Sequence, residues 1–173
     1  MTPRPMHRQD RQLPQEEAWA LLTQGTYGVL SVVGDEGWPY AVPMHYTVMD
    51  GQIYLHCAKT GYKLDAIARD DRVCFTVTLR EELVQDHATS LYESVAALGR
   101  AALVTDQATH QAALAHLVAA LGRASPDPRD QYIAWPGQNT PVLVLRPVPP
   151  TGNAHRDPPP PHTPARGPTL LLT

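Results

Sequence analysis

The sequence predicts a mainly β fold of α+β type: a small antiparallel barrel of six strands with flanking helices. Three observations carry this. β-rich runs follow one another over residues 27–57 with tight turns between them, which requires antiparallel pairing and not a parallel α/β sheet. Six strands must hide their edges, and closing the sheet on itself removes them. The 173 residues are 43% hydrophobic and 18% charged, enough apolar material for one domain with a core.

Each element has a local warrant. Residues 15–24 read as a short helix: Ala18, Leu21 and Leu22 share a face, and Glu16 and Glu17 sit in the first turn, where the dipole favours acids. Pro14 opens this helix at a tolerated position and Gly25 ends it. Residues 27–33 form a strand closed by the turn Gly34-Asp35-Glu36-Gly37. A second strand covers 38–49; Pro39 and Pro43 inside it each remove a donor and mark an edge or an irregular ladder. Asp50-Gly51 is a two-residue hairpin turn, and 52–57 return as the third strand. Such a hairpin pairs residues whose numbers sum to 101, which sets His45 opposite His56 and Met44 opposite Cys57. Leu64, Ile67 and Ala68 give residues 62–70 a helical period. Residues 72–78 are the fourth strand, 80–89 a polar connection, and 91–101 the fifth strand. Residues 106–121 are the longest helix, with Ala112, Ala115, Val118 and Leu121 facing inward. Residues 142–145, fenced by Pro141 and Pro147, complete the set.

Proline sets the domain boundary. Of 18 prolines, 11 fall in the last 38 residues, and Pro158-Pro159-Pro160-Pro161 can form neither helix nor paired strand. Residues 1–152 are therefore read as one domain and 153–173 as a Pro-rich, disordered tail. A net charge of −3 without a basic face argues against a nucleic-acid partner. No apolar run approaches the ~20 residues that cross a bilayer, and the first residues lack the apolar core of a signal peptide. Two cysteines make no disulfide framework, so the expectation is a cytoplasmic protein without membrane contact.

The chemistry concentrates in residues 53–67. A strand ends at His56-Cys57, the small-residue loop Ala58-Lys59-Thr60-Gly61 follows, and a helix starts with Lys63 in its first turn. Free N–H groups at a helix start, with lysine beside them, suit a phosphate, and Gly61 allows close backbone approach. Solvated surface lysines are the bland reading of the same residues. His45, His56 and Cys57 supply too few ligands for a metal site. Cys57 and Cys74 read as small buried hydrophobes, and Trp19 and Trp38 as core and edge packing. Asp86-His87 has no nucleophilic serine in a strained turn nearby, and His110 and His116 belong to a helix face.

Gly37-Trp38-Pro39-Tyr40-Ala41-Val42-Pro43, then Asp50-Gly51-x-Ile53-Tyr54-x-His56-x-Ala58-x-x-Gly61-x-Lys63-x-x-x-Ile67, then Val73-Cys74-Phe75 and Tyr92-Glu93-Ser94-Val95-x-x-x-Gly99-Arg100-Ala101 make a distinctive series. It resembles the FMN-binding split-barrel superfamily, in the pyridoxamine 5′-phosphate oxidase-like branch that holds the nitroimidazole-resistance proteins. The likeness covers residues 8–152. It implies a six-stranded Greek-key split barrel, paired as a homodimer with one FMN in each of two interface clefts. By the same likeness, Val42, Pro43 and Met44 lie along the isoalloxazine ring. His56, Cys57 and Ala58 line the ring and ribityl chain, Gly61 and Lys63 receive the phosphate, and Trp135 covers the cleft from the partner. His56 is the implied catalytic residue, and the implied activity is flavin-dependent oxidoreduction of a small organic substrate. Reduction of nitroimidazole-type compounds with a nicotinamide donor is the named example. The arginines that pyridoxine phosphate oxidation needs are not found, Asn153 replaces a lysine in a Thr-Gly-Lys ending, and His45 departs from the usual polar residue. Haem and deazaflavin are the lesser cofactor alternatives. A non-catalytic flavin or haem module and a cofactor-free dimeric scaffold are the other function classes.

Overall fold

Residues 4–84, 89–121 and 140–156 are described by the computed structural model of the chain. Its helices are α1 (Gln15–Gln24), α2 (Tyr62–Arg69) and α3 (Gln107–Leu121). Its strands are β1 (Tyr27–Val33), β2 (Pro39–His45), β3 (Thr47–Met49), β4 (Gln52–His56), β5 (Arg72–Val84), β6 (Thr89–Leu103), β7 (Val142–Pro147) and β8 (Thr151–His155). All pairings between these strands are antiparallel, in the order β2-β1-β5-β6-β7-β4-β3, with β8 beside β6. The strands at the two ends of that order, β2 and β3, are separated in the chain by Tyr46 alone, so the sheet curls until its ends meet. This is the split barrel the sequence predicts, with eight strands where six were expected, because the long second run breaks in two and β8 is added.

The break has a specific cause. Asp50 (φ 52°) and Gly51 (φ 68°) form the expected turn with both residues in the left-handed region, and Thr47, Val48 and Met49 pair with Tyr54, Ile53 and Gln52 in the sum-101 register. The ladder stops there. Tyr46 is fully buried; its N–H donates to Thr26 O at 3.1 Å and its hydroxyl to Leu22 O at 2.7 Å. Its ring stands edge-on to Phe75 at 4.9 Å. Turning inward at Tyr46 sends β2 away to β1, so His45 pairs with Tyr27 and Met44 with Gly28. The expected pairs His45–His56 and Met44–Cys57 do not form; His56 pairs instead with Val142 of β7.

Alternation fills the interior: Leu30 and Val32, Val73, Phe75 and Val77, Ile53 and Leu55, Leu143 and Leu145 all point inward, with α1 and α2 packed on them. Ala18, Leu21 and Leu22 form the buried face of α1 as expected. A second cluster lies on the other side of β4 and β7, where α3 covers Tyr54, Val142 and Val144. Its buried face is Ala113, Leu114 and Leu117, not Ala112, Ala115, Val118 and Leu121. An alanine-rich helix has a weak apolar stripe, so the large leucines choose the buried face.

Two strands are longer than their apolar patterns. The polar stretch after Thr78 stays in the ladder, residues 80–84 pairing with 89–93 as a projecting hairpin beyond an irregularity at Leu79. Backbone pairing needs no apolar side chain, so hydropathy does not reveal it. Likewise β8 carries the sheet to His155, past the boundary placed at 152, held by Tyr92 Oη–Asn153 Oδ1 and by Arg156 ion-paired to Glu17 and Glu93. Tail residues 157–173 lie outside the described residues. Among the described residues no helix is long and apolar enough to cross a membrane.

Candidate functional site

Strand β4 ends where burial ends. Ile53, Tyr54 and Leu55 are buried, His56 is half-buried, and Cys57 hands its N–H to Pro141 O at 3.0 Å before the chain leaves the sheet. Ala58, Lys59 and Thr60 are exposed. Gly61 then turns the backbone with φ 139°, a conformation that favours glycine, and a Cβ there would meet nothing within 4 Å. The carbonyl of Gly61 accepts from Leu64 N–H (2.9 Å) and Asp65 N–H (3.3 Å), starting α2, and no side chain caps that start. The helix opening, the open glycine and the half-buried Lys63 are neighbours at this passage from strand to helix.

His56 Nδ1 is the one buried side-chain nitrogen or oxygen left without a hydrogen-bond partner among the described residues. Such a vacancy costs about 1–3 kcal/mol, so a native protein leaves it where something else can fill it. Burial foremost, then the nearby His45 and Lys63, push the His56 pKa below its ordinary value, which keeps the ring neutral at neutral pH. Burial also raises the Cys57 thiol, partly offset by Lys63, so this sulfur is a poor nucleophile. His56 thus lies within electrostatic reach of His45 and Lys63, and Cys57 of Lys63, even though the His45–His56 ladder pair is absent. His45 donates through Nδ1 to Thr26 O at 3.1 Å, and its ring lies 4.9 Å from that of Tyr27.

Strand β2 borders the same region. It lies against β4 but hydrogen-bonds in the ladder only to β1, so its second edge is open. Met44 points inward and is buried, Val42 is half-buried, and Pro43 is exposed on the outer face. That outer face is apolar and open, with Tyr27 54% and Val29 37% exposed beside Ala41 and Pro43. Three aromatics mark its rim near the start of α2. Trp38, expected as edge packing, is 72% exposed; Tyr40 and Tyr62 are each 37% exposed and stand edge-on at 4.7 Å. No local pattern in the sequence distinguishes these rings from core aromatics.

The other candidates separate from this cluster. Cys74 sits on β5 opposite Ser31, half-buried, remote from Cys57 in the sheet, and both cysteines are free. His110 bonds to Thr140 O at 2.7 Å and His116 is exposed on α3. Asp86, His87 and Trp135 lie outside the described residues. No group of three or more metal-ligating side chains occurs among the described residues. A crevice of about 300 Å³ between the β3–β4 turn and the start of α3, bordered by Asp50, Tyr54, Asp106 and Arg146, contains none of the site residues named above.

Comparison with known proteins gives a consistent picture. A family model described as pyridoxamine 5′-phosphate oxidase matches residues 14–147. No curated protein matches the chain. A candidate 5-nitroimidazole antibiotic resistance protein from Bacteroides thetaiotaomicron is similar in structure, with TM-score 0.67 and 22% identity over 83% of this chain and 86% of that one. An FAD-binding protein from Mesorhizobium loti is similar with TM-score 0.64 and 22% identity, covering 85% of this chain and 97% of that one. The flavocytochrome Anf3 from Azotobacter vinelandii gives TM-score 0.69 and 20% identity, covering 89% and 73%. These likenesses establish a shared split-barrel fold.

Proposed function

From the premise that this chain belongs to the pyridoxamine 5′-phosphate oxidase family, we propose that it is an FMN-dependent oxidoreductase acting on a small organic substrate. The observation that carries the reading is His56 Nδ1, buried and without a partner, directly ahead of an open anion cradle. A flavin fits both features: its phosphate suits the start of α2, and its ring presents carbonyl and nitrogen groups that a buried imidazole can meet.

In this reading Lys63 and the first N–H groups of α2 hold the phosphate, and Gly61 leaves the space for it. Val42, Pro43 and Met44 lie along the ring with the open edge of β2, and Cys57 and Ala58 line the ribityl chain. Bound FMN supplies the electron transfer between a nicotinamide donor and the substrate. The neutral His56 orients the ring or the substrate with a hydrogen bond and holds a proton for a developing anion. Nitroimidazole-type compounds are the substrate class that the Bacteroides relative supports. The open apolar face of β1 and β2 supports a homodimer, in which a second copy covers this face and closes each cleft.

The test is the visible absorption spectrum of the purified protein, before and after adding FMN and desalting. Retained bands near ~370 and ~450 nm, the flavin signature, are the expected result, followed by bleaching with NAD(P)H and recovery with a nitro compound. A colourless protein that retains no flavin overturns the reading. A Soret band assigns the His45–His56 region to haem instead.

A further inference from the structure

The crevice between the β3–β4 turn and the start of α3 lies on the outer side of β4 and β7, away from the barrel interior and from His56. Its floor is Tyr54 of β4 and Val144 of β7, which are ladder partners. Tyr54 is 3% exposed, and its ring belongs to the cluster that α3 covers with Leu114 and Leu117. In contrast to the enclosed His56 Nδ1, its hydroxyl reaches the crevice, and among the described residues no hydrogen bond takes it. Asp50 and Arg146 both act on this hydroxyl: burial foremost, then Asp50, raise its pKa, and Arg146 lowers it. A well-buried tyrosine thus turns its one polar atom toward an open space between an acid and a base.

Charges of both signs face the crevice without neutralising each other. Arg100, the ladder partner of Arg146, is ion-paired to Asp71, whereas Arg146 is bound to neither Asp50 nor Asp106, although all three border the crevice. Asp106 is fixed where it stands. Its Oδ2 accepts the Thr109 N–H at 2.8 Å at the start of α3, and that bond holds its carboxyl below the ordinary value. Asp50 is fixed by the hairpin turn. Met49, Leu103 and Val144 add apolar lining. A lone anion or cation would answer one of these signs and oppose the other; a ligand that carries both answers both. A carboxylate suits the guanidinium of Arg146, which can grip it with two parallel hydrogen bonds, and an ammonium suits the acids. The Tyr54 hydroxyl can donate to the first or accept from the second. A volume of about 300 Å³ is at the lower end for ligand pockets and suits a molecule of single-residue size. We propose that this crevice binds a free α-amino acid with an apolar side chain, its carboxylate on Arg146, its ammonium on Asp50 and Asp106, and its polar end against the Tyr54 hydroxyl. The site shares no residue with the flavin cleft and is independent of that reading.

Isothermal titration of the purified full-length chain tests it, with L-leucine, L-methionine and glycine as probes. Two analogues of leucine complete the set: 4-methylpentanoate, which lacks the ammonium, and 3-methylbutylamine, which lacks the carboxylate. Saturable binding of leucine and methionine is expected, about tenfold tighter than glycine, which has no side chain to bury, and than either analogue, which loses one charged contact. Tyr54→Phe keeps the packed ring and removes only the hydroxyl, so it should weaken leucine binding about fivefold with the thermal midpoint unchanged. Arg146→Gln should weaken it about tenfold. Arg146 is exposed, so this second variant reports on binding even where Tyr54→Phe loosens the packing under α3. Absence of saturable binding by all three amino acids overturns the site. Leucine binding that both variants leave unchanged overturns it as well, because the amino acid then sits elsewhere. Equal affinity for leucine and 4-methylpentanoate also overturns it, since the acids then read no ammonium, and equal affinity for leucine and glycine removes the apolar side chain from the proposal and overturns it as stated.

Discussion

The interior of the barrel and the rim around His56 are built from the same strands, yet they follow opposite rules. Inside, Tyr46 illustrates saturation: its N–H, hydroxyl and ring all have partners, and Gly25 lacks a side chain because Tyr46 Oη occupies the place of its Cβ. At the rim, an imidazole nitrogen is left unpaired, a helix starts without a cap, and three aromatics face water. The interior is complete without anything else; the rim leaves hydrogen-bonding and stacking capacity unused. Stability should reside in the first region and ligand recognition in the second, so substitutions should sort cleanly between the two readouts.

The largest effect expected is in the interior. Phe75→Ala removes a fully buried ring and should destabilise the fold by about 3–5 kcal/mol in urea unfolding. A loss under ~1 kcal/mol would mean that the interior is not close-packed and that the contrast fails. Lys63→Glu is the reciprocal change: it should weaken FMN binding by well over ~1 kcal/mol while stability stays within ~0.5 kcal/mol. Equal FMN affinity in the variant would remove the phosphate from this helix start.

A pH series sharpens the comparison at His56. Its folded pKa lies below the ordinary value of 6.5, with burial as the first cause, so the unfolded chain takes up the proton first. The contribution is therefore fully present above that value and is lost as pH falls through the folded pKa. His56→Gln should flatten the stability-against-pH curve over this window; identical curves for the two proteins would show that His56 is not desolvated. The smallest effect belongs to the projecting hairpin. Leu83, 71% exposed, should tolerate Leu83→Ser within ~0.5 kcal/mol, with flavin binding untouched. A larger loss on dilution would place this hairpin in a contact between copies.

What could be read in advance followed range. The α1 face, the Asp50-Gly51 turn and the loop-to-helix passage at Gly61 each depend on residues within a few positions, and each stands where expected. The passage at Gly61 was legible because glycine, lysine and a helix start are neighbours in the chain. The hidden parts depend on distant partners. His45 and His56 fall out of register because Tyr46 finds Leu22, Thr26 and Phe75. The paired strands beyond Thr78 are polar, so only the opposite strand reveals them. Strand β8 exists because β6 offers it an edge and Glu17 and Glu93 hold Arg156.

The amino-acid sequence by itself determined an antiparallel β protein, its turns, two of its helices with their faces or starts, and the loop that turns into α2 at Gly61. Those are outcomes of backbone preference and side-chain period, which act over one or two turns of chain. The tertiary structure alone decided where the long second run breaks, which face of α3 is buried, and that β8 joins the sheet. It also decided that His56 is half-buried near His45 and Lys63 with its Nδ1 enclosed and unpaired. Burial and hydrogen-bond satisfaction belong to groups brought together from distant parts of the chain, and they exist only once the sheet has closed.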